Sequence, residues 1–412
     1  MPSIVFIVPE LLPVPPTEGG AVEHWVHEVS QRLAQRGFRV TVVSRPADAP
    51  GDPAITYLGV PWTAAGRTWL RLKQRSSRRN PLRALAKLAG VFGYALGVRR
   101  ALRGLDADLV YLHNDPLLAA LLPRRNGQKQ VLHLHNDHLS LPAFKPLLTP
   151  LLARTDLVLC VSDFIRDRVR RACPAHAATV HTVLNATDPE RFRPRSTRTP
   201  DPAAAFDCTL TQFLYVGRLT ADKGVHVLID AFARLHQAHP LTRLTLAGSS
   251  FYAHAPRTAY EGQLAAQAAP LGDAVRFSGF VPHARLSPMY AEADVVVVPS
   301  VWQEPFGLVA AEAMASGTCV IASAVGGLPE LVTHNRTGLL VAPGDAAALA
   351  AAMTRVLLDA ALRQRLGQAA RQAVLAHFSY PRLAGELATW LEGLVRPSTR
   401  VAHPQFGARH TG

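Results

Sequence analysis

Two carboxylates, Glu304 and Glu312, bracket the seven residues Pro305-Phe306-Gly307-Leu308-Val309-Ala310-Ala311. The first stands beside Pro-Phe-Gly, which reads as a loop turning into a helix, and the second is expected two turns into that helix. Just upstream, Asp294 to Ser300 is a short apolar run ended by Pro299, the pattern of a buried parallel strand. Carboxylates so placed accept hydrogen bonds from hydroxyls, and the unpaired N–H groups of a helix start hold an anion. A ligand rich in hydroxyls and carrying a phosphate suits both features, and a nucleotide sugar has both.

Other residues could take part. Arg218 and Lys223 flank a loop that follows a strand, where two cations suit a diphosphate, although such a pair is also ordinary surface charge. Gly19-Gly20 closes the loop after the first strand and precedes a helix, which lets backbone N–H groups approach a phosphate. It is equally a plain turn, and it lacks the Gly-x-Gly-x-x-Gly spacing of a dinucleotide site. His133 and His135 lie on one strand ahead of Asn136-Asp137-His138. Strand alternation is read as sending His133 and His135 to opposite faces, which argues against a shared metal and for hydrogen-bonded core histidines. Asp106-Ala107-Asp108 has an Asp-x-Asp pattern but leads a strand, so a capping or turn role is expected rather than metal binding.

Elements of two α/β series must position these groups. Ile4–Val8, Phe38–Val43, Asp108–His113, Gln130–His135, Leu157–Val161 and Thr179–Leu184 read as strands, with Ala21–Arg36 a helix between the first two. A second series runs through Gln212–Val216, Arg243–Ala247, Ala274–Ser278, Asp294–Pro299 and Thr318–Ala322, and helices close the chain from Asp345 to about Gly393. Short apolar strands alternating with helices mean parallel sheets. A polar, proline-bearing stretch between the series reads as a linker. The expected division is a first α/β domain over 1–192, a linker over 193–207, a second α/β domain over 208–376, a helix over 377–395 and a flexible tail over 396–412.

The 412 residues carry a formal charge of +14 and four scattered cysteines. No Cys-x-x-Cys and no histidine cluster at zinc spacing occurs, so a reducing compartment is expected, with neither disulfide framework nor metal. No secretory leader is read at the start, and no run approaches the roughly 20 apolar residues of a membrane span; a cytoplasmic protein is expected. The charge is concentrated between Arg67 and Arg103, where Arg71, Lys73, Arg75, Arg78, Arg79, Arg83, Lys87, Arg99 and Arg100 occur without an acid, interleaved with Trp69, Leu70, Leu72, Leu82, Leu85 and Leu88. Two readings stand: a basic amphipathic surface for an anionic partner such as the inner membrane face, or a solvated helix of an arginine-rich chain. Nucleic acid is disfavoured, because no binding module accompanies the charge.

From Ile4 to about Trp390 the chain resembles the retaining glycosyltransferases of family 4, whose GT-B fold sets two Rossmann-like domains across a cleft. The resemblance rests on Glu304-Pro305-Phe306-Gly307-Leu308…Glu312, on Gly217-Arg218-Leu219…Lys223-Gly224, and on Val161-Ser162. Phe280-Val281-Pro282, Gly326-Gly327-Leu328-Pro329-Glu330 and Asn335-Arg336-Thr337-Gly338 add to it. The resemblance implies that the first domain is acceptor-binding, that the second binds the nucleotide sugar, and that the helix over 377–395 returns toward the first domain. It implies that Arg218 and Lys223 bind the donor diphosphate, that Glu312 accepts the ribose hydroxyls, and that Glu304 faces the transferred sugar. The amides of Phe306, Gly307 and Leu308 would hold sugar hydroxyls and phosphate, Gly20 would touch the phosphate from the other domain, and the base would lie by Phe280 and Val281. Gly217 and Gly248 belong to the same donor surface, and His135 matches a histidine near acceptor and donor sugar. The implied reaction is metal-independent and needs no cofactor; a UDP-linked donor is expected, and the acceptor is unidentified. Two departures occur. Asn185-Ala186-Thr187-Asp188 stands where Asn-Gly-Val-Asp is common, and Gly248-Ser249-Ser250 replaces Gly-Asp-Gly. A phosphorylase, a nucleotide-sugar hydrolase, or a non-catalytic nucleotide-sugar-binding surface protein would use the same cleft.

Overall fold

The computed structural model describes residues 1–16, 20–75, 81–137, 145–194, 210–250 and 258–395. Gly19, Arg78, Arg79, His138, the linker from 195 onward and the tail from 396 lie outside them.

Two wholly parallel sheets organise the chain. The first holds β1 (Ser3–Ile7), β2 (Arg39–Ser44), β3 (Ile55–Gly59), β4 (Leu109–His113), β5 (Lys129–Leu134), β6 (Leu157–Cys160) and β7 (Val180–Thr182) in the order β3-β2-β1-β4-β5-β6-β7. The second holds β8 (Thr211–Val216), β9 (Thr242–Ala247), β10 (Val275–Gly279), β11 (Val295–Val298), β12 (Cys319–Ser323) and β13 (Leu339–Val341) in the order β10-β9-β8-β11-β12-β13. The central strands are near-continuous Val, Ile and Leu because helices cover both faces. Two strands escape the sequence pattern. β3 is an edge strand with only one of its five residues buried, and β13 has three residues.

Helices dock by apolar stripes at helical spacing. Ala21–Gln35 buries Val22, Trp25, Val26, Val29 and Leu33, and Val225–Ala238 buries Leu228, Ile229, Phe232 and Leu235. The last helix, Tyr380–Val395, sends Leu383, Leu387 and Leu391 into the first domain's core beside Phe6, Val29 and Leu33. A continuous apolar cluster joins the two domains, with Leu134, Ile165 and Phe192 on one side and Phe306, Met314 and Leu328 on the other. In each sheet the connections diverge on either side of one strand pair, β1/β4 and β8/β11. Ligands of open parallel sheets sit at the carboxyl ends of such pairs.

Candidate active site

β8 ends at a backbone-to-backbone contact. Gly217 and Gly248 have φ of 148° and 147°, and a Cβ on Gly248 would lie 1.8 Å from the Gly217 carbonyl oxygen. The ends of β8 and β9 therefore close on each other only if position 248 is glycine. Beyond them, the Tyr215 hydroxyl donates to the Arg218 carbonyl at 2.6 Å, while the Arg218 side chain stays 62% exposed with Asp222 3.9 Å away. The turn Ala221–Lys223 directs Lys223 inward, where Nζ donates to Glu304 Oε1 at 2.6 Å. Ser300 Oγ donates to the same oxygen at 2.6 Å, and the Trp302 ring lies 5.0 Å from the ammonium. Oε2 accepts no hydrogen bond among the described residues. A buried carboxylate is tolerated when it is paired and hydrogen-bonded, and this one keeps an oxygen in reserve.

The Glu304 backbone is held as firmly. A Cβ on Gly326 (φ 57°) would lie 2.0 Å from its carbonyl oxygen, and Gly327 N–H donates to that oxygen at 2.7 Å. Phe306 packs into the core against Phe378, and Gly307 opens the helix Leu308–Ala315. Glu312 is the fifth residue of that helix, a little more than one turn in, not two, because the helix starts only after Gly307. Its Oε1 faces His283 Nε2 at 2.8 Å, and its Oε2 accepts from the Tyr290 hydroxyl at 2.8 Å. A carboxylate offers about four lone-pair sites, so both oxygens retain room for further hydroxyls. Half-buried Phe280 and Val281 precede this histidine, with Pro282 between. Ser300, Trp302, Tyr290 and His283 were not singled out as site residues from the sequence. The available signal was proximity, since Ser300 and Trp302 sit between β11 and Glu304, and His283 follows Phe280-Val281-Pro282.

From the first domain, Gly20 (φ 111°) precedes the helix Ala21–Gln35. A Cβ there would meet the Glu23 carboxylate, which burial pushes up to a pKa of about 7. His24, one residue on, packs its ring at a tilt of 45° against His283 of the other domain with ring centres 4.7 Å apart; burial first, then His283, lowers its pKa to about 3. Ser162 Oγ donates to the Pro305 carbonyl at 2.6 Å, a second tie between the domains. Ala186 has no positive φ, so the turn that commonly carries glycine is built here without it. Asp108 accepts from Ser3 N–H and Oγ at 2.7 and 2.8 Å, a structural role.

The histidines require a correction. His133 and His135 do not point to opposite faces, because residues two apart on a strand share a face. Their ring centres are 4.2 Å apart, and His113 from β4 joins them. His135 itself is buried at the end of β5, its N–H bonded to Asn114 Oδ1 at 2.7 Å.

Comparison with known proteins places this geometry. Residues 19–191 match the family model for glycosyltransferase family 4, and residues 202–373 match that for glycosyl transferases group 1. Glycogen synthase of Mycobacterium tuberculosis (strain H37Rv) is 31% identical over 394 residues, covering 90% of each chain. Among solved structures, sucrose-phosphate synthase from Thermosynechococcus elongatus superposes with a TM-score of 0.78 at 24% identity, covering 97% of this chain and 100% of that one. Anabaena HepE in complex with UDP and glucose gives a TM-score of 0.68 at 20% identity, covering 94% and 99%. With two parallel-sheet domains, a Lys223–Glu304 pair at one switch point and both halves matched, the chain belongs to the family 4, group 1 glycosyltransferases of GT-B fold.

Proposed function

We propose that this glycosyltransferase moves a hexose from a UDP-linked donor to a hydroxyl-bearing acceptor with retention of configuration and without a metal at the diphosphate. The observation that carries the reading is the convergence of Lys223, Ser300 and Glu304 at the carboxyl ends of β8 and β11. As the bond between the anomeric carbon and the phosphate oxygen breaks, negative charge grows on the diphosphate. Exposed Arg218, Lys223 and the amides of Phe306, Gly307 and Leu308 are fixed charges and dipoles aimed at it, the arrangement that lowers such a barrier most. Glu312 takes the ribose hydroxyls on its spare lone pairs, and Glu304 Oε2 takes a hydroxyl of the sugar. Phe280 and Val281 flank the base, Gly217 and Gly248 let backbone approach the donor, and Gly20 closes on the phosphate from the facing domain. The acceptor oxygen forms the new bond on the face the leaving group departs from, so its proton passes to the leaving phosphate oxygen. His135 borders the acceptor side. Crystals of HepE with UDP and glucose support the choice of donor. Release of nucleoside diphosphate from UDP- and GDP-sugars, measured with and without added acceptor hydroxyls, tests the reading. Release that needs phosphate would indicate a phosphorylase, and release without acceptor a hydrolase.

The acceptor side has a companion feature. The helix Pro81–Ala101 exposes Leu85, Leu88, Phe92 and Leu96 along one face, with Lys87, Arg99 and Arg100 also exposed. No helix among the described residues is long and apolar enough to cross a membrane. Apolar side chains at three- and four-residue spacing, amid cations without acids, suit an anionic lipid surface, so docking there is part of the proposal.

A further inference from the structure

His113 ends β4 and pairs in register with His133 of β5, and His135 follows two residues later on the same face. One ring nitrogen from each lies within 4.8 Å of the others, and the three imidazoles are 1%, 0% and 8% exposed. His113 Nδ1 and His135 Nε2 share a hydrogen bond of 3.0 Å. His133 Nδ1 is engaged by the Tyr111 hydroxyl at 3.0 Å, whereas His133 Nε2 is buried without a partner. Trp25 closes the cluster by edge contacts to all three rings, with centres 4.9 to 5.3 Å away.

We propose that His113, His133 and His135 form a binding site for one divalent transition-metal ion, of which zinc and cobalt match the donor set best. Metal–nitrogen bonds of about 2.0–2.1 Å in a tetrahedral site place ligand nitrogens roughly 3.4 Å apart. His113 Nδ1 and His135 Nε2 are 3.0 Å apart and one nitrogen of each ring lies within 4.8 Å of the others, so side-chain shifts of about an ångström suffice. The ligating atoms are His113 Nδ1, His135 Nε2 and His133 Nε2. Tyr111 then accepts from His133 Nδ1–H, the outer partner that orients a ligating imidazole. Burial keeps all three rings unprotonated at neutral pH, the form that binds metal. A set of three imidazoles without a carboxylate selects against magnesium and calcium, which require oxygen ligands. The ion is held by first-domain imidazoles alone, separate from Arg218 and Lys223, to which the proposed function assigns the diphosphate. Its effect is to lock the ends of β4 and β5 and the orientation of His135.

The test is titration of full-length, chelator-treated protein with Co²⁺, followed by visible absorption. One equivalent should develop the intense bands of a four-coordinate site and be displaced by Zn²⁺ but not by Mg²⁺. His113→Gln and His133→Gln should each weaken binding at least tenfold, whereas Tyr111→Phe, which keeps all three ligands, and His236→Gln, remote from the cluster, should retain the bands. Wild-type protein that gives no such bands, or bands that persist in both ligand variants, overturns the site. The readout does not depend on turnover, so it stands or falls separately from the transfer reaction.

Discussion

Glu330 of the second domain caps a helix of the first: its two oxygens accept from the Asp163 and Phe164 amides, at 2.7 and 2.6 Å, at the start of Asp163–Ala172. The same helix start carries Ser162, whose hydroxyl reaches Pro305 next to Glu304. The contact between the domains and the position of Glu304 are thereby coupled through one helix terminus. Replacing a capping side chain costs about 0.5–2 kcal/mol. Glu330→Ala should lower the thermal midpoint and raise the donor KM; an unchanged KM would show that the two domains do not communicate through this cap.

Lys223→Ala and Glu304→Gln should each lower turnover more than tenfold. Lys223→Ala leaves a buried carboxylate with one partner fewer, while Glu304→Gln leaves a half-buried ammonium without its counter-ion. Because the two groups touch, the double variant should lose far less than the product of the single losses. Turnover should survive EDTA; dependence on added Mg²⁺ or Mn²⁺ would sink the metal-free assignment of the diphosphate.

Glu312→Ala should weaken UDP binding by about 1–3 kcal/mol, the cost of stranding buried hydroxyl partners, as read by calorimetry. Tyr290 loses its acceptor in that variant. Tyr290→Phe should therefore have a smaller effect on UDP than Glu312→Ala, and equal effects would move the ribose contact away from Glu312.

Two neighbours on the first helix should respond to pH in opposite directions. His24 stays neutral in the fold down to a pKa of about 3, so between there and about 6.5 the unfolded chain binds the extra proton and stability falls as pH falls. Glu23 stays protonated up to about 7, so between about 4.5 and 7 the unfolded chain releases its proton first and stability falls as pH rises. Relative to wild type, His24→Gln should gain thermal stability progressively below pH 6.5, and Glu23→Gln should gain it between pH 4.5 and 7. Parallel melting profiles for the two variants would contradict the burial of either group.

Binding to anionic vesicles should fall with salt, since exposed charges are screened beyond about 8 Å at physiological ionic strength. Phe92→Ser with Leu96→Ser should weaken it further without altering UDP affinity. Equal sedimentation with neutral and anionic vesicles would remove the membrane from the account.

Periodicity made the central strands and their helices legible, because β1, β4, β8 and β11 are buried on both faces and leave apolar runs. It missed β3 and β13, whose residues are half exposed or too few to show a period. Around the site, the spacing of Glu304 and Glu312 was visible, but their partners were not. Lys223 reaches Glu304 across 81 positions and His283 reaches Glu312 across 29, distances that only the strand order closes. The histidines were misplaced by misreading the two-residue period of a strand, and no local pattern announced that β4 would bring His113 beside them.

The helix Tyr380–Val395 brings the described chain back to the domain where it began. The second domain is thus hung between two crossings rather than one, as a door on two pins. A single tether permits swivel in every direction, whereas two attachments restrict relative motion of the domains chiefly to rotation about the line joining them. The return crossing is anchored by three buried leucines, worth roughly 5–9 kcal/mol together, comparable to the whole net stability of a domain. Cutting the chain before Tyr380 removes one pin and a piece of the first domain's core at once, so the second domain can be excised whole only by cutting in two places.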